Sequence, residues 1–479
     1  MSQKVVVSIV FVMAMFMAIM DITIVNVALP TLGRDFGVAP ADVGVVSVGF
    51  LVSLAVFIPA SGWLGDRLGT KRVLLAAIAV FTVASALCGV AQNLTELVVF
   101  RILQGVGGGM LTPVGMAMLY RAYPPQERVR ASRILTVPTA FAPALGPVLG
   151  GLLITDLSWR WVFWVNLPIG IIAFLFGLHS LQEHREPNPG RFDLRGFALA
   201  GVGFASLMYA VTEGPTVGWS SALVLVSGFA GLLLVAAMVV VELRVPQPMV
   251  ALRLVRDRLF GSTLVVIFLA TMAFLGTLFA VSLFFQDGLG ASPLTSGLST
   301  FPEAIGIMLG AQSAGWLYPR FGPRRIIAGG AGGVAAIIAM MSLVGAGGSA
   351  LWAMRILMFF LGLAMAHVFV PSQAAAFATI SPAATGRAST LFNALRQLGS
   401  AVGISVVTSV LSIVGPTRLA GGSVVPNLGA YHVAFLTAAA IALLAVVAAL
   451  RIRDRDAAST MVRPGRTAER AAGQIAAAS

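Results

Sequence analysis

Cysteine is almost absent from these 479 residues: Cys88 stands alone, so no disulfide within the chain and no cysteine-based metal site can be built. Lysine is nearly as scarce. Of the two present, Lys4 follows Gln3 and Lys71 precedes Arg72, so neither completes the glycine-rich loop that cradles a nucleotide phosphate, and no use of ATP is expected. Charged residues are only 10% of the chain against 58% hydrophobic, with a mean hydropathy of +0.94, which excludes a water-soluble fold. Also missing are an H-E-x-x-H run, a supported Ser/His/Asp set and paired carboxylates on one helix. No catalytic residue, metal or cofactor is therefore expected, and an enzyme is not.

What remains is long apolar runs. A crossing needs about 20 mostly apolar residues, and dividing the chain at its turn and charge clusters yields fourteen: 5–30, 42–63, 73–92, 97–120, 134–155, 161–181, 196–212, 219–241, 261–286, 295–318, 326–346, 350–372, 388–413 and 429–450. The first holds Asp21 and is longer than a signal peptide requires, so it is read as a retained helix. With both termini cytoplasmic, 25 of the 31 lysines and arginines fall inside. Three (Arg34, Arg160, Arg418) fall outside, and three (Arg101, Arg355, Arg396) lie within spans. This asymmetry is the positive-inside signal of a multi-pass protein of the plasma (inner) membrane. It also accounts for the net charge of +13, with anionic membrane lipids rather than nucleic acid as the partner.

A carboxylate inside an apolar span is costly to bury and marks a functional position. Asp21 is the first, followed by Thr23 to Pro30 with Asn26 among them; Glu303, after Pro302, is the second. If Glu303 lines a cavity it binds a cationic substrate or a second proton; if its span sits slightly deeper than drawn, it is only an interfacial acid. His367 is read as a polar residue on a helix–helix face rather than as a titrating group. Arg355 and Arg396 are expected to find polar partners in the second half, with Asn393 and Gln397 as interhelical hydrogen-bond partners.

Two stretches of the chain repeat. Gly62 to Arg72 returns as Gly315 to Arg325 at an offset of 253, Arg101-Ile102-Leu103 as Arg355-Ile356-Leu357 at 254, and Arg130-Ala131-Ser132 and Gly146 as Arg387-Ala388-Ser389 and Gly403 at 257. Ordered matches at so narrow an offset indicate a duplication. The expected plan is an N-terminal six-helix half at 1–190, two inserted helices and an interfacial linker at 191–260, and a C-terminal six-helix half at 261–452. A disordered cytoplasmic tail at 453–479 follows. The linker Arg244 to Phe260 alternates arginine with apolar residues and reads as an interfacial amphipathic helix. Duplicated halves rocking about a midplane site are the physical basis of alternating access.

Three motifs accompany the repeat. The first is Gly62-x-Leu64-x-Asp66-Arg67-x-Gly69-x-Lys71-Arg72, the second Arg101-x-x-Gln104-Gly105-x-Gly107-Gly108-Gly109, and the third Ala142-Pro143-Ala144-Leu145-Gly146-Pro147-Val148-Leu149-Gly150-Gly151. Trp159 to Pro168 adds an aromatic belt. On these motifs, which span most of the chain, the sequence resembles the major facilitator superfamily, and within it the fourteen-helix drug:proton antiporters. The resemblance implies an all-α membrane fold of two pseudo-symmetric six-helix halves with two extra helices between them.

The resemblance further implies that Gly62, Asp66, Arg67, Gly69, Lys71 and Arg72 form a cytoplasmic gate docking near Ala388 and Ser389. The second copy of that gate has Pro319 in place of Asp66 and is expected to be weaker. It implies that Arg101 and Gln104 attend Asp21, and that Pro143, Gly146, Pro147, Gly150 and Gly151 are the antiporter signature, whose small residues allow close helix packing. The implied activity is proton-driven export of small amphipathic molecules, cationic drugs or antibiotics among them, by a protein acting as a monomer. Export of one secondary metabolite, metabolite uptake by symport, and a transport-inactive sensor are the alternative readings.

Overall fold

The computed structural model describes residues 1–38, 43–187, 192–245, 251–420 and 423–461. Thirteen long helices dominate them: α1 (Gln3–Phe36), α2 (Val45–Leu68), α3 (Thr70–Val90), α4 (Leu94–Ala122), α5 (Arg128–Asp156), α6 (Asn166–Ser180), α7 (Leu194–Val217), α8 (Ala222–Arg244), α9 (Arg258–Leu283), α10 (Pro293–Met341), α11 (Ala350–Ala376), α12 (Thr385–Val414) and α13 (Leu428–Leu450). A hairpin of β1 (Thr417–Ala420) and β2 (Ser423–Pro426) joins the last two helices. Polar punctuation sets several starts: Asn93, Asp193, Asp257 and Ser292 each accept the backbone N–H three residues on, opening α4, α7, α9 and α10.

Twelve of the described helices are long and apolar enough to cross a membrane, and a thirteenth crossing is made if the two arms of α5, bent by 42°, are one span. The sequence reading has fourteen, because its tenth and eleventh spans are joined here as the 49 residues of α10. At 1.5 Å per residue such a helix runs about 70 Å, over twice the hydrocarbon thickness. It is broken in its middle, where Gly322 leaves helical geometry at φ 76°, ψ 163°.

Helices α1 to α6 pack chiefly on one another, α1 against α5 and α6, and α4 against α2 and α3. Helices α9 to α13 do the same, with α10 on α11 and α13 and α9 on α12. The two sets meet along α5–α10 on one side and α2–α12 on the other. Helix α7 lies over that second seam, touching both α2 and α12, and α8 packs on α7. At the arginine-rich end the apolar core of the first set runs on into Phe260, Phe377, Ala388 and Phe392 of the second. Cross-set contacts there include Arg128 Nη1 donating to Phe377 O, Tyr120 stacked on Phe377 at 4.5 Å, and Ser61 Oγ 3.4 Å from Thr390 Oγ1. We call this the basic end.

A local geometry recurs between the sets. Gly69, at φ 105°, has no room for a Cβ because the Glu183 carboxylate lies over it, and Glu183 Oε1 accepts the Lys71 N–H at 3.0 Å. Gly322 is likewise covered by the Asp454 carboxylate, which accepts the Arg324 N–H at 2.8 Å. In each case an acid from a distant segment caps the start of a helical stretch just after a positive-φ position that glycine serves without strain.

Two expectations for the ends of elements change. Residues 453–461 are ordered rather than disordered: Asp454 makes that cap, and Thr460 Oγ1 meets Tyr318 Oη at 2.7 Å. The remainder of the expected tail, 462–479, lies outside the described residues. The linker 244–260 is not an amphipathic helix over its described part, where Leu252–Arg256 makes a short 3-10 turn; residues 246–250 lie outside the description.

Candidate functional site

Asp21 sits about five turns into α1 with no exposed surface, and side chains from two other helices converge on it. Arg101 Nη1 of α4 donates to Asp21 Oδ2 at 2.5 Å, and Gln104 Nε2 donates to Oδ1 at 2.9 Å. Asn166 Nδ2, the first residue of α6, donates to the same Oδ1 at 2.9 Å. Arg101 and Gln104 are three apart on one helix and so share a face; Arg101 Nη1 also donates to Gln104 Oε1 at 2.8 Å. Phe50 lies under the guanidinium, 4.3 Å from ring centroid to Cζ. Asn166 Nδ2 is 3.1 Å from Ser85 Oγ, which in turn donates to Phe163 O at 2.8 Å.

A buried ion pair is tolerated only when its remaining donors and acceptors are satisfied. Here the carboxylate has three donors, two from α4 and one from α6. The cluster is thus sealed within the first helix set. One atom is unserved: Asn166 Oδ1 is buried and has no partner.

The sequence reading paired Asp21 with Arg101 and Gln104, and the structure brings all three together. It missed Asn166 and Ser85, although Asn166 stands inside the aromatic segment and an amide opening an apolar helix was a visible signal. Asn26 does not join the cluster. One and a half turns beyond Asp21, it is exposed and accepts from Ser47 Oγ at 3.2 Å.

The glycine motif on α5 leans on the same stretch of α1. A Cβ on Gly146 would overlap the Thr23 side chain, and one on Gly150 would lie 3.1 Å from Ile24 Cγ1. Two residues separate Thr23 from Asp21, so α5 reports directly on the backbone that carries the acid. Gly403 occupies the equivalent place in the second set, where a Cβ would collide with the Met272 backbone of α9. Gly151 faces open space, and Pro143 is half-buried; the side chain of Pro147 lies outside the described residues.

At the basic end, Gly62 and Asp66 of α2 press against the first turn of α12. A Cβ on Gly62 would stand 3.0 Å from Gly386 O, and one on Gly386 would stand 2.9 Å from Asp66 Oδ1. Asp66 is 2% exposed and accepts from Arg121 Nη2 at 2.9 Å, while the same nitrogen reaches Glu186 Oε1 at 3.0 Å. Arg121 Nε also donates across the seam to Pro382 O at 3.4 Å. Arg121 and Glu186 were not singled out from sequence, because the first looks like any loop arginine and the second lies 120 residues from Asp66 along the chain.

Arg67, Lys71 and Arg72 are placed differently from the expected gate. Arg67 and Arg72 are exposed and, with Arg185, line an open cavity of about 680 Å³ floored by Val73 and Ala76. Arg72 Nε lies 3.6 Å from Glu183 Oε2, and Lys71 contributes its backbone N–H to that acid. None of these contacts reaches the second helix set.

Glu303 of α10 is 4% exposed, beside α11, where a Cβ on Gly362 would collide with Glu303 O. It has no part in the Asp21 cluster. Arg355 donates to Ser299 Oγ at 3.0 Å, and His367 bridges Ser313 Oγ and Leu363 O at 3.1 and 2.8 Å, both between or within packed helices.

Residues 11–404 match the Major Facilitator Superfamily. Over 404 residues the chain is 33% identical to the multidrug resistance protein B homolog of Mycobacterium tuberculosis, covering 84% of this chain and 75% of the relative. The fold resembles the crystal structure of the human organic anion transporter MFSD10, at a TM-score of 0.67 and 17% identity over 93% of this chain and 99% of that one. It also resembles the proton:xylose symporter XylE bound to a bromodeoxyglucose, at 0.63 and 15% over 93% and 94%. With its helices apolar enough to cross a membrane and most of its length matched, this chain is a multi-pass membrane protein belonging to the major facilitator superfamily, a family of transporters.

Proposed function

We propose that the protein is a proton-driven antiporter that exports small amphipathic molecules across the plasma membrane by alternating access. The observation that carries this reading is the buried Asp21–Arg101–Gln104–Asn166 cluster, with Gly146 and Gly150 of α5 packed on the adjoining turns of α1. Burial disfavours an ionised carboxylate and a neighbouring guanidinium favours it. Small movements of α1 against α4 would loosen or tighten the hold of Arg101 and Gln104 on Asp21, and α5 packs on the adjoining turns of α1. The relative named for multidrug resistance supports export.

In this reading the chain crosses the membrane fourteen times, counting the α5 arms as one span and the α10 limbs 293–321 and 323–341 as two. The residues 1–190 and 261–452 are the two rocking halves, the hairpin α7–α8 is inserted between them, and the basic end is cytoplasmic, with both termini there. The recurring glycine–carboxylate caps at Gly69 and Gly322 support the duplication. Asp66, Gly62 and Arg121 hold the inner gate shut, and the protein works as a monomer.

Gradient-driven export is tested with purified protein in liposomes of bacterial phospholipid, loaded with a panel of cationic, neutral and anionic amphipathic dyes. An imposed proton gradient should drive dye movement that stops when the gradient is collapsed and is lost in Asp21→Asn. Dye movement indifferent to the gradient would overturn proton coupling.

A further inference from the structure

Arg396 is the intramembrane cation whose placement contradicts the sequence expectation. It lies near the middle of α12, is half-buried, and among the described residues has no hydrogen bond or ion pair. Helix geometry fixes the direction it takes. Residues three or four apart share a face, and its neighbours on that face are Asn393 and Gly399, with Gly403 a further turn on. Asn393 Nδ2 reaches Met116 Sδ of α4 at 3.4 Å, whereas a Cβ on Gly399 would stand 2.6 Å from Phe268 O of α9. Arg396 thus leaves α12 between α4 and α9, toward the space between the two helix sets. The opposite face, with Ala394, Gln397 and Leu398, is turned to α2 and α7.

A guanidinium stays protonated at any accessible pH, so this is a standing positive charge. Neither Asp21 nor Glu303 pairs with it: Asp21 is committed to Arg101, and Glu303 lies on α10 beside α11. Toward the basic end the same face continues through unsatisfied polar atoms. Asn393 Oδ1 and Ser389 Oγ are 2% and 0% exposed by residue and have no partner.

We propose that Arg396, with Asn393 and Ser389 behind it, is the recognition site for an anionic group on the cargo, so that the favoured substrates are amphipathic organic anions such as aromatic carboxylates. This rests on the export reading above and gives the cargo the opposite sign from the cationic drugs expected from resemblance. A carboxylate would supply the acceptor that Arg396 lacks, in a geometry that a guanidinium fork matches with two hydrogen bonds. As the basic end opens, Ser389 and Asn393 become available in turn along the path by which cargo enters from the cytoplasm.

The test uses full-length protein in detergent and three matched probes: naphthalene carboxylate, its methyl ester and naphthylmethylammonium. Equilibrium dialysis should show the carboxylate binding about tenfold tighter than either of the others, the scale expected for one charge-assisted hydrogen-bonded pair. Arg396→Gln should erase the preference, and Arg396→Lys should keep part of it. No preference in the unaltered protein, or an undiminished one in Arg396→Gln, overturns the proposal; if Arg396→Gln does not fold, the unaltered protein's ratio decides alone. Liposome transport separates the two readings. Carboxylate preference without gradient-driven movement of any probe defeats the export reading alone, and gradient-driven movement of ester or cation with no carboxylate preference defeats the anion site alone.

Discussion

Asn166 Nδ2 donates to the same oxygen of Asp21 that Gln104 does, so the acid on α1 is tied to α6 as well as to α4. Removing that donor by Asn166→Ala leaves a buried carboxylate short of one hydrogen bond, which costs about 1.5 to 3 kcal/mol when the acceptor is charged. Thermal unfolding in detergent should show the loss. Asn166→Asp should be worse, since it places a second acid against the first.

The ion pair itself is expected to be non-additive. Asp21→Asn strands the Arg101 guanidinium in a sealed apolar site and should destabilise by roughly 3 kcal/mol or more. Combining it with Arg101→Gln should restore part of that stability while export stays lost. A double-mutant cycle on unfolding midpoints measures the coupling; simple additivity would mean the two groups do not depend on each other.

Within the α5 motif the structure separates residues that look alike in sequence. Gly146→Ala puts a methyl group into Thr23 and should abolish export without loss of membrane insertion, whereas Gly151→Ala meets open space and should leave export within twofold of normal. Efflux rates at equal expression check both. Equal sensitivity at the two positions would remove the packing argument.

Ser61 and Thr390 offer a lock for the basic end, their hydroxyl oxygens lying 3.4 Å apart across the seam. The double variant Ser61→Cys, Thr390→Cys should form a disulfide on mild oxidation that stops transport, and reductant should restore it. The native Cys88 is buried, so background cross-linking should be low. Transport unaffected by a verified cross-link would show that this end need not open.

Much of this was legible from residues alone. Asp21, Arg101 and Gln104 could be grouped because charged and amide side chains in apolar spans must find one another. Gly146 could be assigned to close packing because glycine in a helix needs a reason. What escaped was set by contacts remote in sequence. Arg121 and Glu186 meet Asp66 only once α2, α4 and the segment after α6 are assembled. Arg67 and Arg72 belong to the same motif as Asp66, yet successive residues of a helix end point to different sides, and theirs is the outer one. The carboxylate caps at Glu183 and Asp454 lie over 110 residues from the glycines they cover, beyond any local pattern.

The walled position of Asp21 bears on efficiency. A carrier wastes its driving force whenever hydrogen ions slip through without cargo, and slippage requires an unbroken path of water to the exchanging group. With every oxygen of that carboxylate engaged by Arg101, Gln104 and Asn166 and none of its surface wetted, the conformation closed at the basic end is insulated. For the proposed antiporter, that posture would keep hydrogen ions from crossing without cargo.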